Sequence, residues 1–486
     1  MRSFIKPTSV LLLTAILASM SACGGAASTA DTTAADTTTA APETEKPYLD
    51  NLPEQDFGGV DFTMLIRETR ADFLVSDEEI GEVVNDAIYA RNSGVGERFN
   101  VDFKYVTLPD TGADWNTAIN GDVMSGTGDY DMVMPDYWWG CETHGNFLNL
   151  RDYDDIMDFD APWWSAGWND NAEVNGRLYQ AVGSFSLDII RNMTCIYVNS
   201  NIADTLKLPN LYDMVEDKTW TFDKLKEYSA MALADLNGDS SYSIENDQIG
   251  SYFWFQQVRG MMCNFGVKPT TLGADGKWNF DSFYTDRTAT IYSELYSFLM
   301  EDPSVVWGNN SVNNSEQALS AFQADKLLFH GGYVRTADSL REMKSDFQII
   351  PFPLYDSTQK DYVTFNFGTA YLAITKAAKD PEMSATIMEA LNAESYKSVV
   401  PAYYEDALKG KYSRDNKTAD MLDLIYSKIS FDFTFVHTAS INSLDNLMGD
   451  WILAGTSTLA SQWDSRKDSM NTKLAALYEK FNAIEE

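Results

Sequence analysis

Residues 130–139 read YDMVMPDYWW, and these ten positions decide how the rest of the chain is read. Asp131 to Met134 is a short apolar run suited to a buried strand. Pro135 ends it, because proline cannot donate to a ladder. Asp136, Tyr137, Trp138 and Trp139 then occupy a loop, and adjacent aromatics on a loop cannot all face one core. Working backward, Trp115, Ala118, Ile119 and Val123 recur at helical spacing. Val101, Phe103 and Tyr105 alternate as in a strand, and Ile80, Val83, Val84, Ala87 and Ile88 have helical spacing again. Val60 to Ile66, VDFTMLI, is apolar enough for a buried strand. Strand, helix, strand, helix, strand implies a parallel sheet with helices on its faces. Ligands of such sheets bind beyond the carboxyl ends of the strands. Two loops occupy those ends: Arg67 to Arg70, and Asp136 to Gly140.

Working forward, the pattern changes near Gly176. GRLYQAV is followed by a strand over Thr194 to Asn199, TCIYVN. Thr221 is the expected N-cap of a helix carrying Phe222, Leu225 and Tyr228. Asn313 to Phe322 reads as helix and Lys326 to Phe329 as strand. Gly331-Gly332 reads as a break, and Asp346 to Pro353 as a strand stopped by prolines. Near the end, Leu459, Trp463, Met470, Leu474, Leu477 and Phe481 line one helical face. Trp163, Trp164 and Trp168 are expected in the core of the first half.

The chain opens MRSFIKPTSVLLLTAILASMSACGG. A short basic start, an apolar run from Val10 to Met20 and then small residues make a secretory signal over 1–22. The run is too short to span a membrane, which takes ~20 apolar residues. Ser21-Ala22-Cys23 resembles a bacterial lipobox, with Met20 where leucine is usual. The resemblance implies cleavage before Cys23 and diacylglycerol on its sulfur; an ordinary signal followed by a chance cysteine is the alternative. Residues 23–56 begin with an Ala/Thr-rich stretch that lacks large apolar residues until Pro42, so a disordered tether is expected. As a coil it reaches on the order of 25–30 Å from Cys23 to Pro47. The globular body is expected from Phe57, on the extracellular face of the cell membrane.

The body is long enough for two or three domains. Its aromatics are abundant, with 12 Trp, 25 Tyr and 26 Phe, and a formal charge of −36 excludes nucleic acid as a partner by repulsion of phosphates. The same charge argues against flat adsorption to anionic lipid, leaving the lipid anchor as the only membrane contact. Cys141, Cys195 and Cys263 are an odd number with no CxxC, so buried free thiols are preferred over a single bridge.

Several segments taken in order resemble the extracellular solute-binding proteins of ABC transporters, closest to the maltose- and oligosaccharide-binding group. They are YDMVMPDYWW, GRLYQAV with IYVNSNIADTLKL, TWTFDKLKEYSAMALADLNGD, FQADKLLFHGGYVR, DFQIIPFP and AITKAAKDPEMSATIMEALN. Together they span most of residues 57–430, and the lipobox fits the same family. The resemblance implies a type II periplasmic-binding fold: α/β, two lobes, a hinge and C-terminal helices. Lobe one would comprise 57–184 and 354–400, and lobe two 185–353 with the helices of 401–486. It implies a monomer that binds a small solute, an oligosaccharide above all, and delivers it to an ABC permease. A lipid anchor on such a protein suggests a gram-positive host.

The resemblance also proposes residues for the cleft. Asp136, Tyr137, Trp138 and Trp139 match a ligand-contacting loop. Sugars offer C–H faces to aromatic rings and hydroxyls to planar polar groups. Trp254 and Phe255 match an aromatic offered by lobe two. Tyr333 follows a glycine turn, Arg67 ends the first strand, Asp188 lies near a crossing strand and Phe433 matches a late aromatic. Asp235, Asn237 and Asp239, with Glu245 or Asp247, mimic a calcium loop; Ser240 stands where glycine is expected and Asn246 at the twelfth place, so a plain solvated loop is the preferred alternative. A structural calcium is the one cofactor considered; none is required. The rival classes are a secreted glycoside hydrolase and a sensory or adhesion lipoprotein using the same cleft. His144, His330 and His437 stand apart, and no HExxH, GxSxG or P-loop occurs, so no enzyme is expected.

Overall fold

Val60–Arg67 forms strand β1 and Val101–Leu108 forms β2, paired in parallel from Val60 opposite Val101 to Arg67 opposite Leu108. Met132–Val133, β3, pairs in parallel on the other side of β1, giving the order β2-β1-β3. The connecting helices begin where side chains replace missing intrahelical partners. Glu82 accepts from the amides of Val84 and Asn85 ahead of the helix Val83–Phe99, and Thr111 accepts from Asp114 N ahead of Gly112–Ser125. Each ends on a left-handed residue, Asn100 and Gly126. Ile80, read as part of the first helix, precedes its cap and is 65% exposed. The structure is a computed structural model that describes residues 48–412 and 416–484. The signal segment, Cys23 and the tether up to residue 47 lie outside the described residues.

The second sheet has five strands in the order Phe347–Ile350, Thr194–Asn199 (β4), Leu327–Tyr333, Ile249–Trp254 (β5), Val305–Gly308. β4 is antiparallel to both neighbours, whereas Leu327–Tyr333, β5 and Val305–Gly308 run parallel. The three parallel strands therefore end together, at Tyr333, Trp254 and Gly308. Gly331-Gly332, expected as a break, lies inside its strand. A Cβ on Gly331 would sit 2.4 Å from Cδ1 of Phe253, and one on Gly332 would sit 3.1 Å from Cε2 of Tyr197. These glycines make room for rings pressed against the sheet.

The chain crosses between the two sheets more than once. After residue 183 it passes through Asp188–Arg191 to β4. It comes back along 364–375, where Asn366 bridges Met193, Ala370 bridges Asp136, and Ala373 bridges Val133 beside β3. Phe365 also pairs in parallel with Ser430, which brings in the C-terminal segment. The C-terminal helices, expected with the second lobe, touch both sides. In the helix Leu459–Ala483, Trp463 packs on Phe280 and Phe283 near one end, and Phe481 on Tyr179 near the other. All six residues read as its apolar face are buried, as are Trp163, Trp164 and Trp168. Cys141, Cys195 and Cys263 are free thiols, the first two buried.

Candidate functional site

β1 delivers Arg67 to the carboxyl end of the first sheet, where the residue is 9% exposed. Its guanidinium grips Asp110 with Nε at 3.0 Å and Nη2 at 2.7 Å, and donates through Nη1 to Asp136. Asp136 also accepts from the amide of Trp138 at 3.0 Å, capping a single 3-10 turn over Tyr137–Trp139. Burial pushes the Asp136 carboxyl up to about 6, against the pull of Arg67. The Asp110 carboxyl, beside the same guanidinium, is held below its ordinary range.

The three aromatics of that turn part company. Tyr137 is fully buried against Phe435, with ring centroids 4.7 Å apart, and its hydroxyl has no protein partner. Trp139 packs on Trp115 at 5.2 Å and lies under Arg67; a Cβ on Gly112 would sit 2.8 Å from its ring. Trp138 is half-buried, 5.7 Å from Phe367 of the crossing segment. The guanidinium of Arg259 lies 5.8 Å from the Trp138 ring and 4.7 Å from that of Phe255, so it bridges the two sides.

On the opposite side the three parallel strand ends open onto a cavity of about 570 Å³. Trp254, Gln256, Gln257, His330, Tyr333 and Arg335 are among its lining residues. Tyr333 Oη donates to Gln256 Oε1 at 2.7 Å. Gln257 Oε1 and His330 Nδ1 are buried without a protein partner. Burial holds the His330 imidazole down at about 4, so the ring is neutral at pH 7. Phe255 and Arg259 line a neighbouring cavity of about 380 Å³ on the other flank of Trp254. Asp188, 3% exposed, accepts from Ala370 N at 3.3 Å in the crossing segment and lies 3.2 Å from Arg70 Nε.

Arg67, Asp136, Trp138, Asp188, Trp254, Phe255 and Tyr333 thus belong to one region at the facing strand ends, with Tyr137 and Trp139 behind it. Phe433 does not. It is fully buried, stacked on Trp278 at 5.4 Å and set against His437 and Tyr478. A ring with no exposed face has nothing to offer a ligand. The sequence reading missed Arg70, Gln257, Arg259, Arg335 and Phe367, although Arg70 closes a loop it placed at a strand end and Arg335 follows Tyr333 by two positions.

The Asp235 loop turns its oxygens on itself. Asp235 accepts from the amides of Gly238 and Ser240, and Asp239 from Ser241. The two oxygens of Asp247 take Leu236 N and Ser243 N. Glu245 is exposed. Among the described residues no three His, Cys, Asp or Glu side chains converge to hold a metal ion. The donors expected for calcium therefore act here as amide acceptors.

Parallel strands ending at two facing sites, joined by crossing segments, are the architecture of the periplasmic solute-binding proteins, and solved structures bear the fold out. The galacto-N-biose/lacto-N-biose I-binding protein of an ABC transporter from Bifidobacterium longum superposes with a TM-score of 0.58 at 12% identity, over 87% of this chain and 99% of its own. The cyclic α-maltosyl-1,6-maltose-binding protein of Arthrobacter globiformis gives 0.56 at 13% identity, over 86% and 99%. A sugar transporter protein from Rhizobium etli, in an open conformation, gives 0.55 at 15% identity, over 88% and 100%. No family model and no curated protein matches the sequence.

Proposed function

We propose that this protein is an extracellular solute-binding protein that closes two lobes around an oligosaccharide and presents it to an ABC importer. One observation carries this reading. Trp138 and the Arg67–Asp136 pair at one set of strand ends face Trp254, Gln256 and Tyr333 at the other, with Arg259 spanning them. Rings for stacking lie beside buried polar atoms of the cavity wall that lack protein partners: Gln257 Oε1 and His330 Nδ1. Such atoms are costly unless a ligand or water meets them, and a polyhydroxylated solute would meet them at many points. The fold neighbours from Bifidobacterium and Arthrobacter bind lacto-N-biose and cyclic α-maltosyl-1,6-maltose, which supports the same solute class.

A binder is favoured over a glycoside hydrolase by the state of the cleft carboxylates. Asp136 is committed to Arg67 and to Trp138 N, and Asp188 to Ala370 N with Arg70 beside it. Both are engaged by protein donors, which suits carboxylates that hold the Trp138 turn and the crossing segment in place. In this reading the chain works as a monomer, held at the outer face of the membrane by diacylglycerol on Cys23. No helix among the described residues is long and apolar enough to cross a membrane.

The test is calorimetry and thermal shift against a glycan panel, followed by Trp138→Ala. Loss of a stacking ring should weaken the best glycan by about tenfold to a hundredfold, as for buried aromatic anchors. Failure of every glycan to raise the melting temperature would remove the oligosaccharide reading.

A further inference from the structure

The charge in the cleft is not balanced pair by pair. Arg67 has Asp110 and Asp136, Arg191 has Asp338 at 3.2 Å, and Arg259 has Asp450 at 2.8 Å. Arg70 has Asp188, and Arg335 has no carboxylate at ion-pair distance among the described residues. Arg70 Nε lies 3.2 Å from Asp188 Oδ1 but makes no hydrogen bond with any protein atom. Arg335 pairs with no carboxylate among the described residues; its guanidinium donates to the side-chain oxygen of Asn192. Asp188 is felt by both guanidinium groups, but it is within ion-pair distance of Arg70 and not of Arg335, whose other acidic neighbour, Asp338, is taken by Arg191. The two arginines come from opposite sides: Arg70 from the turn after β1, and Arg335 from the turn after Leu327–Tyr333.

We propose that Arg70 and Arg335 clamp the carboxylate of an acidic sugar, so that the solute is a uronate-containing oligosaccharide and not a neutral one. The proposal rests on the solute-binding reading above and specifies its ligand. A guanidinium offers a planar fork that matches a carboxylate at two points, a geometry with no counterpart in a sugar hydroxyl. Arg335 lines the 570 Å³ cavity beside Trp254, Gln256 and Tyr333, so an acid group held there leaves its ring within reach of aromatic faces and an amide. That volume lies within the range of small-ligand pockets. Burial, with Arg70 and Arg191 close by, draws the Arg335 guanidinium below the ordinary arginine range, which is the cost a ligand anion would relieve. The rest of the molecule argues the same way. A surface of net charge −36 repels anions in general, so an acid group is held only where a guanidinium without an ion-pair partner meets it, and in the cleft that guanidinium is Arg335.

The experiment is titration calorimetry on the full mature chain. The probes are di- to tetrasaccharides of galacturonate and mannuronate and glucuronate-bearing xylo-oligosaccharides. Each is paired with the same oligosaccharide after reduction of its carboxyls to primary alcohols, and a neutral malto- and cello-oligosaccharide set is run beside them. An acidic member should bind, with its carboxyl-reduced partner weaker by more than about tenfold. Arg335→Gln and, separately, Arg70→Gln should each weaken the acid by about tenfold to a hundredfold, the worth of a charge-assisted pair, while moving the reduced form far less. Neutral or reduced glycans binding as tightly as the acids would overturn the proposal and leave oligosaccharide binding standing. So would two folded variants that keep the parent's preference for the acid. If no glycan of either charge binds the folded parent, the solute reading itself falls, and the proposal with it.

Discussion

Replacing Arg67 by methionine keeps the length of the side chain and removes the charge that faces Asp136 and Asp110. Asp110 is on the surface side and can be solvated; Asp136 is 6% exposed and cannot. Its carboxyl already sits at about 6 with Arg67 present, and Arg67 is the strongest influence holding it down. In Arg67→Met the carboxyl must titrate higher still. The sign follows from proton binding. An acid whose folded value is raised keeps its proton in the native state where the unfolded chain has lost it, so stability falls as pH rises from about 4 to the folded value and is flat beyond. In the parent the fall ends near pH 6; in the variant it continues through pH 7.5. The variant's deficit should therefore grow by about 2 kcal/mol between pH 6 and 7.5, at ~1.4 kcal/mol per unit. At pH 5 both proteins hold a neutral Asp136, and the deficit reduces to lost charge-assisted hydrogen bonds, about 1.5–3 kcal/mol. The relief that Asp110 loses falls below pH 4, outside this window. Urea unfolding of parent and variant at pH 5, 6 and 7.5 measures the difference, and Arg67→Met with Asp136→Asn should abolish its pH dependence. An equal deficit at all three values would refute the claim that Asp136 is a buried acid held ionised by Arg67.

Other consequences can be checked separately. Gly331→Ala forces a Cβ to 2.4 Å from the Phe253 ring and should destabilise by about 1–3 kcal/mol in urea unfolding, as overpacked cores do. Asp235→Ala removes the acceptor of two loop amides and should cost about 1–2 kcal/mol, by the same amount in EDTA as in millimolar calcium; a calcium-dependent difference in melting temperature would reinstate a metal there. Burial holds His437 down at about 3, so below pH 6.5 the unfolded chain takes up a proton that the native state refuses. Stability relative to His437→Gln, compared at matched pH, should then fall as the medium is acidified from 6.5 toward 4. Cys23→Ser should release the protein from the membrane fraction into the medium of its host, and retention to the parent's degree would remove the anchor.

The first sheet was legible because its signals are local. Apolar runs of VDFTMLI and DMVM, an alternating VDFKY and the helical spacings between them are set by neighbours a few positions apart, and the parallel order follows from the connections. Glycines 331 and 332 misled because glycine usually punctuates, whereas here it clears space for Phe253 and Tyr197, residues that lie far away in sequence. Phe433 misled for a related reason. FDFTF alternates in the same way whether its rings meet a cleft or Trp278 and Tyr478. Arginines were the least legible. Arg67 finds Asp136 across 69 positions, Arg70 finds Asp188, and nothing beside Arg335 in the sequence tells that it has no carboxylate of its own. A charge is common everywhere on a surface; only the fold shows which one lacks a partner.

The run Tyr137-Trp138-Trp139 shows how a local rule and a long-range one combine to make a site. Three successive aromatics would be a liability on a helix or strand edge, where at least one would stand in water. Asp136 instead caps a 3-10 turn, with three residues per turn, so successive side chains diverge by about 120°. One ring then goes inward to Phe435, one sideways to Trp115, and the remaining one, Trp138, has no direction left but the space between the sheets. The cap that sets this divergence is the same carboxylate that Arg67 holds at the end of β1. The placement of the cleft tryptophan is thus tied to the buried ion pair. Any change that frees Asp136 from Arg67 should loosen the turn and weaken ligand stacking together, even though neither charge need touch the ligand.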